Sequence, residues 1–280
     1  MALTPFQRGI CRLLARHRIA GGEAYVAGGA ALNELTAGTR VSRDVDLFHD
    51  SEEALEKTWA ADRALLESQA YQLQVVRHRP GIIEAQVARD SQTLLLQWTR
   101  DSAFRFFPLV EHDEFGLTLH PFDLATNKVL ALVGRLEVRD WADVIHCHES
   151  VQPLGYLAWA ACGKDPGFGP LAILEQAARS SRYSDDEVRQ LDFEGGAPDA
   201  GDLSRRWHAA LSEARSICAD LPPDEVGRCV LGTDGRLYTA APTLLRTDLA
   251  ASRLHFHGGR LGGALPVLVE PPPHRAKPGR

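Results

Sequence analysis

Apolar positions along the chain fall into two rhythms. Near the start they recur as Phe6, Ile10, Leu13 and Leu14, with Arg8, Arg12, Arg16 and Arg18 elsewhere. That spacing predicts an amphipathic helix over 5–19, ended by Gly21-Gly22. Residues 24–27 form a short apolar run and predict a strand; Gly28-Gly29 predicts a turn and 30–35 a second helix. A second strand is predicted at 45–48. Ser51 is a good N-cap, with Glu53 and Glu56 in the first turns of a helix running to about residue 70. Residues 71–78 and 82–88 predict paired strands around Arg79-Pro80-Gly81, and 93–99 a further strand centred on Leu94, Leu95 and Leu96. Helices are predicted over 123–134, 140–148 and 202–219. Residues 163–170, rich in Gly and Pro, predict a loop; 230–238, interrupted by Thr233-Asp234-Gly235, predict a hairpin.

Strands near 25, 46, 75, 85 and 96, interleaved with helices, imply an α/β (α+β) fold with a small mixed sheet. The predicted organisation is a sheet-containing domain over 1–150, a mainly helical C-terminal domain with a short hairpin over 151–265, and a flexible tail over 266–280. A length of 280 residues agrees with two domains. Composition (44% apolar, 24% charged) excludes wholesale disorder. No apolar run approaches the ~18 residues of a spanning helix, and the first residues lack a signal peptide's apolar core and cleavage site. Five widely spaced cysteines, without C-x-x-C, argue against a disulfide framework and for a reducing, cytoplasmic setting. A net charge of −6 excludes a general polyanion-coating protein. Any nucleic-acid contact would come from a local patch, for which Arg8, Arg12, Arg16, Arg18, Arg40 and Arg43 are candidates; a solvated helix face is the alternative.

The first chemistry-bearing stretch is YVAGGAALNELTAGTRVSRDVDLF, residues 25–48. Gly28-Gly29 lies between a strand and a helix, where backbone N–H groups can approach a phosphate without a Cβ in the way. Asp44 and Asp46 flank Val45, so on a strand they share a face; Val45, Leu47 and Phe48 are expected to face the core. Two such carboxylates repel unless a cation lies between them, and hard oxygen ligands favour Mg²⁺ or Mn²⁺. Arg40, Ser42 and Arg43 precede the acids and are candidates for meeting triphosphate oxygens. For a lone D-x-D, a strand with water-facing acids is the simpler explanation. Together, though, these residues resemble the first motif of the nucleotidyltransferase superfold shared with DNA polymerase beta: G-[GS], a short helix, then [DE]-x-[DE]. More narrowly, GGAALNEL and RVSRDVDLF resemble the AbiEii/AbiGii toxin family. The resemblance implies that Gly28 and Gly29 hold nucleotide phosphates and that Asp44 and Asp46 bind the catalytic metal.

The second stretch is DLATNKVLALVGRLEVRDWADV, within 121–148. Lys128 and Arg135 share one helix face, and Asp140 and Asp143 share a face of the next helix. Read alone, these charges suit a structural network of Arg135 or Arg139 with Asp140 or Asp143. The block also resembles the AbiEii-type group, which implies that Lys128 contacts nucleotide phosphate and that Asp140 belongs to the active site. The likeness covers about 24–148 and weakens between its two blocks. It departs from the superfold at the third carboxylate, where the strand over 93–99 presents Gln97; Asp101 and Glu84 are the possible substitutes. Gly163-Lys164 lacks the spacing of a phosphate loop. His146-Cys147-His148-Glu149 has the wrong spacing to share a cation on a helix. His255-Phe256-His257 reads as an exposed alternation.

The resemblance therefore implies a cytoplasmic, Mg²⁺-dependent nucleotidyltransferase. It would transfer a nucleoside monophosphate from a nucleoside triphosphate to a tRNA 3′ end or a protein hydroxyl. It would be the toxin of a type IV toxin–antitoxin or abortive-infection system, with a cognate antitoxin as partner. Two alternatives stay open: a degenerate module of the same fold that binds nucleotide or partner, suggested by Gln97, and a metal-dependent phosphohydrolase.

Overall fold

The computed structural model describes residues 3–180 and 182–268. Helix α1 (Pro5–Gly21) starts at a capping box, in which Thr4 and Gln7 satisfy each other's backbone N–H, and ends where Gly22 turns left-handed at φ 65°. Its arginines do not form one basic face. Arg8 and Arg12 pair with Glu34 and Glu114, while Arg18 is buried and donates to the Phe115 and Cys11 carbonyls. Strand β1 (Ala24–Ala27) is buried throughout and runs into α2 (Gly28–Leu35). Strand β2 (Asp44–His49) is followed by α3 (Glu52–Ser68), whose N-cap Ser51 accepts from Ala54 N–H. Three long strands follow: β3 (Gln72–Arg79), β4 (Ile82–Arg89) and β5 (Gln92–Arg100). The short β6 (Phe104–Arg105), β7 (Val110–His112) and β8 (Gly116–Thr118) precede α4 (Pro121–Arg135) and α5 (Val138–Ser150).

Seven strands form one mixed sheet in the order β3-β4-β5-β2-β1-β8-β7, with β2 parallel to β5, β1 parallel to β8, and the other neighbours antiparallel. All five predicted strands lie in it. Alternation sorts its faces: Leu94, Leu96 and Trp98 of β5, with Ile83, Ala85 and Val87 of β4, are buried against α1 and α3. Leu95, Gln97 and Thr99 point to the other face.

The rest of the chain is α6 (Leu154–Ala161), α7 (Pro170–Ala177), α8 (Asp185–Arg189), α9 (Ala200–Asp220), β9 (Arg228–Gly232), α10 (Pro242–Ala250), β10 (Leu254–Gly258) and β11 (Arg260–Leu261). Helix α6 is buried at every position and sits between α4 and α9; a Cβ on Gly155 would lie 2.6 Å from Ile217, so the close approach of α6 and α9 depends on that glycine. The hairpin expected over 230–238 reduces to a Leu231–Leu237 bridge, because the ladder partner of β9 is β10. His257 is buried and hydrogen-bonded to the Phe106 carbonyl rather than exposed. The residue 150/151 boundary coincides with the end of α5. One apolar cluster nevertheless runs from Leu3 to Leu245, and β11 returns to pair with β6. Of the tail predicted over 266–280, residues 269–280 lie outside the described residues. No helix among the described residues is long and apolar enough to cross a membrane.

Candidate active site

The site is built on the period-two alternation of β2. Val45, Leu47 and His49 are buried on the core side. Asp44, Asp46 and Phe48 share the opposite side and line a cavity of about 620 Å³. The expectation that Phe48 would join Val45 and Leu47 in the core is thus corrected: Phe48 is two residues from Asp46, so it must share that residue's face. It stacks obliquely on Tyr25, ring centres 6.2 Å apart.

Strand β1 pairs with β2 so that Ala27 lies opposite Asp46, which brings the β1–α2 corner onto the acids. Gly28 has φ 69°, and a Cβ there would overlap Asp46 Oδ2. Gly29 is similarly closed off by Arg40. Ser42 Oγ donates to Asp44 Oδ1 at 2.9 Å, and Arg139 Nη1 lies 3.6 Å from Asp44 Oδ2. The Asp46 carboxylate has no hydrogen-bond partner among the described residues. Burial, and then the neighbouring Asp44, push it up to about 6.

A chain of charges, buried except at its Arg135 end, crosses from the loop before β2 to α4 and α5. Arg40 grips Asp143 through two hydrogen bonds of 2.7 Å. Lys128 Nζ bridges Asp143 Oδ2 at 2.9 Å and Asp140 Oδ1 at 3.1 Å. Arg135 binds Asp140 through contacts of 2.6 and 2.9 Å. Burial opposes ionisation of Asp143, yet Lys128 and Arg40 hold its carboxyl below the ordinary range. At Asp140 the same burial is overcome by Arg135 and Lys128. Two of the three ammonium protons of Lys128 are thereby used, leaving one donor for the cavity it lines.

Gly28, Gly29, Arg40, Ser42, Asp44, Asp46 and Lys128, all singled out in the sequence, line this one cavity. Two others do not. Arg43 is exposed and paired with Asp192, turned away on the surface. Asp140 is fully buried behind Lys128 and Arg135, so it orients those cations instead of touching a ligand. Gln97 lies in register with Asp46 on the parallel neighbour; its amide N–H donates to Glu84 at 3.1 Å, and its amide oxygen has no hydrogen-bond partner among the described residues. Glu84 does not line the cavity; Asp101 does. Among the described residues no three His, Cys, Asp or Glu side chains converge as a metal cluster. Asp101 does not converge with Asp44 and Asp46, so what this corner of the cavity offers a hard divalent cation is two carboxylates, one of them unpartnered, beside a neutral amide oxygen. Arg139, Arg135 and Lys164 also line it. Of these, Lys164 was met in the sequence only as part of a Gly-Lys pair without phosphate-loop spacing, because it belongs to a loop far from either motif.

No family model and no curated protein matches the sequence. Solved structures do match the fold. JHP933 from Helicobacter pylori superposes with a TM-score of 0.51 at 13% identity, over 78% of this chain and 95% of its own. An H. pylori protein assigned as a nucleotidyltransferase gives 0.51 at 13%, over 77% and 96%. MenT4, a nucleotidyltransferase toxin from Mycobacterium tuberculosis, aligns more loosely, with a TM-score of 0.45 at 13% identity over 78% and 85%. The fold is the nucleotidyltransferase fold. At this identity the likeness speaks to the fold alone, and it extends well past α5 into the helical part of the chain.

Proposed function

We propose that the protein is a nucleotidyltransferase that moves a nucleoside monophosphate from a nucleoside triphosphate onto an acceptor hydroxyl. One observation carries this reading: Asp46, a carboxylate without a hydrogen-bond partner, faces Asp44 and the Gly28 corner in the cavity that Lys128 also lines. Asp44 and Asp46 would hold Mg²⁺ or Mn²⁺, with the Gln97 amide oxygen as a weaker neighbour. A bound divalent cation would neutralise phosphate charge and polarise the α-phosphorus. The chain's own residues do the rest. Gly28 and Gly29 let the backbone approach phosphate oxygens, and Lys128, Arg135 and Arg139 balance the triphosphate's charge. Asp140 and Asp143 fix the positions of Lys128, Arg135 and Arg40, so that no reorganisation is needed as charge develops. The acceptor oxygen forms a bond to the α-phosphorus, the bond to the bridging oxygen breaks, pyrophosphate leaves, and the hydroxyl proton passes to water.

The resemblance of residues 24–148 to AbiEii-type toxins supports an RNA 3′ end, such as that of tRNA, or a protein hydroxyl as acceptor. It also supports a toxin role with an antitoxin partner. Incubation with Mg²⁺, each α-labelled triphosphate and bulk tRNA tests the reading. Label is expected on the RNA or on protein, and no labelled product with any triphosphate contradicts it. The Gln97 amide opposite Asp46 favours a second reading, a site that binds triphosphate without turnover; saturable binding with no pyrophosphate release would support that instead.

A further inference from the structure

Lys164 enters the cavity wall from the loop after α6, outside both sequence motifs. It is almost fully buried, and its ammonium donates to Asp123 O at 3.2 Å, Asp123 Oδ1 at 2.8 Å and Asn127 Oδ1 at 2.7 Å. Three donors meet three acceptors, so Lys164 has nothing left to offer a ligand. Its effect falls on Asn127. An ammonium carries no lone pair, so the Asn127 atom facing it must be the carbonyl oxygen. The Asn127 amide group is then turned away from Lys164, and Nδ2 has no partner among the described residues although the side chain lines the cavity. Asn127 therefore presents donors only.

This lies at the end of the cavity away from Asp44. Leu124 lies about one turn of α4 before Lys128 and Asn127 directly before it, while Phe48 lies two residues beyond Asp46 on β2; the Lys164 ammonium that holds Asn127 sits over the Phe106 ring, which packs edge-on against Phe104. Phe48, Phe104 and Leu124 give this end apolar walls; Thr99, Asp101 and Ser102 also line the cavity, and Asn127, held by Lys164, supplies an amide donor. A flat ring with a polar edge suits that chemistry. We propose that this end is a nucleobase pocket in which Asn127, oriented by Lys164, selects bases with an oxo group at purine C6 or pyrimidine C4 over those with an amino group at that position. The inference rests on reading the cavity as a nucleoside triphosphate site. An oxo oxygen accepts from Nδ2, whereas an amino group meets it donor to donor, and an unsatisfied polar pair of this kind disfavours binding by about tenfold.

The test is calorimetric titration of the full chain, in MgCl₂ and without acceptor, using pairs that differ in that group: ITP against ATP, and UTP against CTP. The wild type is expected to bind the oxo member of each pair about tenfold more tightly. Asn127→Asp replaces both donors by a carboxylate that Lys164 can still hold, and is expected to reverse the order. Lys164→Met frees the Asn127 amide to turn over, and is expected to bring both ratios close to one while binding persists. Equal affinities within each pair in the wild type, or an amino preference, overturn the Asn127 inference and leave the nucleotide site standing. No binding of any triphosphate overturns both. If a variant fails to fold, as judged by circular dichroism, the wild-type ratios still decide the matter.

Discussion

A methyl group at Gly28 would occupy the space of Asp46 Oδ2, on a backbone already at φ 69°. Gly28→Ala is expected to lower stability by about 1–2 kcal/mol and to cut nucleotide transfer by at least about 100-fold, because the displaced group is the unpartnered carboxylate. Urea denaturation and a pyrophosphate-release assay measure the two effects separately. On the core side of the same strand, burial pushes the His49 imidazole down to about 4 from an ordinary 6.5. The sign follows from linkage. The unfolded chain takes up a proton below 6.5 while the folded chain does not until about 4, so this contribution is complete above 6.5 and is lost as the pH falls between the two. The loss amounts to up to about 3 kcal/mol. Stability measured at pH 7.5 and 4.5 should fall by about 2 kcal/mol more in the wild type than in His49→Leu; an equal fall would contradict this assignment. At this scale the sequence was legible where types and spacing decide, as at Gly28, Asp44 and Asp46. It was misleading where partners decide. Arg43 looks as suitable for phosphate as Arg40, but Asp192 holds it at the surface, and nothing near Arg43 in the chain announces that residue.

Helices α4 and α5 are joined to the loop before β2 by the chain of Arg40, Asp143, Lys128, Asp140 and Arg135. Removing its centre strands cations in a dry place. Asp143→Ala leaves Lys128 and Arg40 each without a main partner and is expected to destabilise the protein by about 3–5 kcal/mol. A paired cation with apolar isosteres is a different case: replacing the whole cluster by well-packed apolar residues would preserve stability and lose the site. Chemical denaturation of the single variant checks the first statement, and a change under about 1 kcal/mol would contradict it. The long elements α1, α3 and α9 were legible because each has one wet face. Helix α6 was not. Its sequence, LGYLAWAA, is apolar at every position because every side is covered, so no period marks it. The two- and three-residue strands β6, β7 and β8 are too short for alternation to register.

The whole molecule closes around one cavity whose walls come from both halves of the chain. Tyr25, Asp44, Asp46 and Lys128 lie within residues 24–148, which hold both sequence motifs, whereas Lys164 lies beyond them. The helical part is also structural support, since α6 and α7 pack on α4 and the apolar core is continuous. A fragment ending at residue 150 is therefore expected to lack a cooperative unfolding transition; a sharp thermal melt of that fragment would show that the first half is self-sufficient. The central claim is that Asp44 and Asp46 together place a divalent cation against a nucleotide's phosphates. It is tested most directly by phosphate analysis of full-length protein with Mg²⁺, mixed nucleoside triphosphates and tRNA, compared with Asp44→Ala plus Asp46→Ala. The account predicts pyrophosphate from the wild type and at least about a 1,000-fold loss in the double variant, the size expected when metal-assisted charge stabilisation is removed. Unchanged pyrophosphate release in the double variant, or orthophosphate as the product, would contradict it.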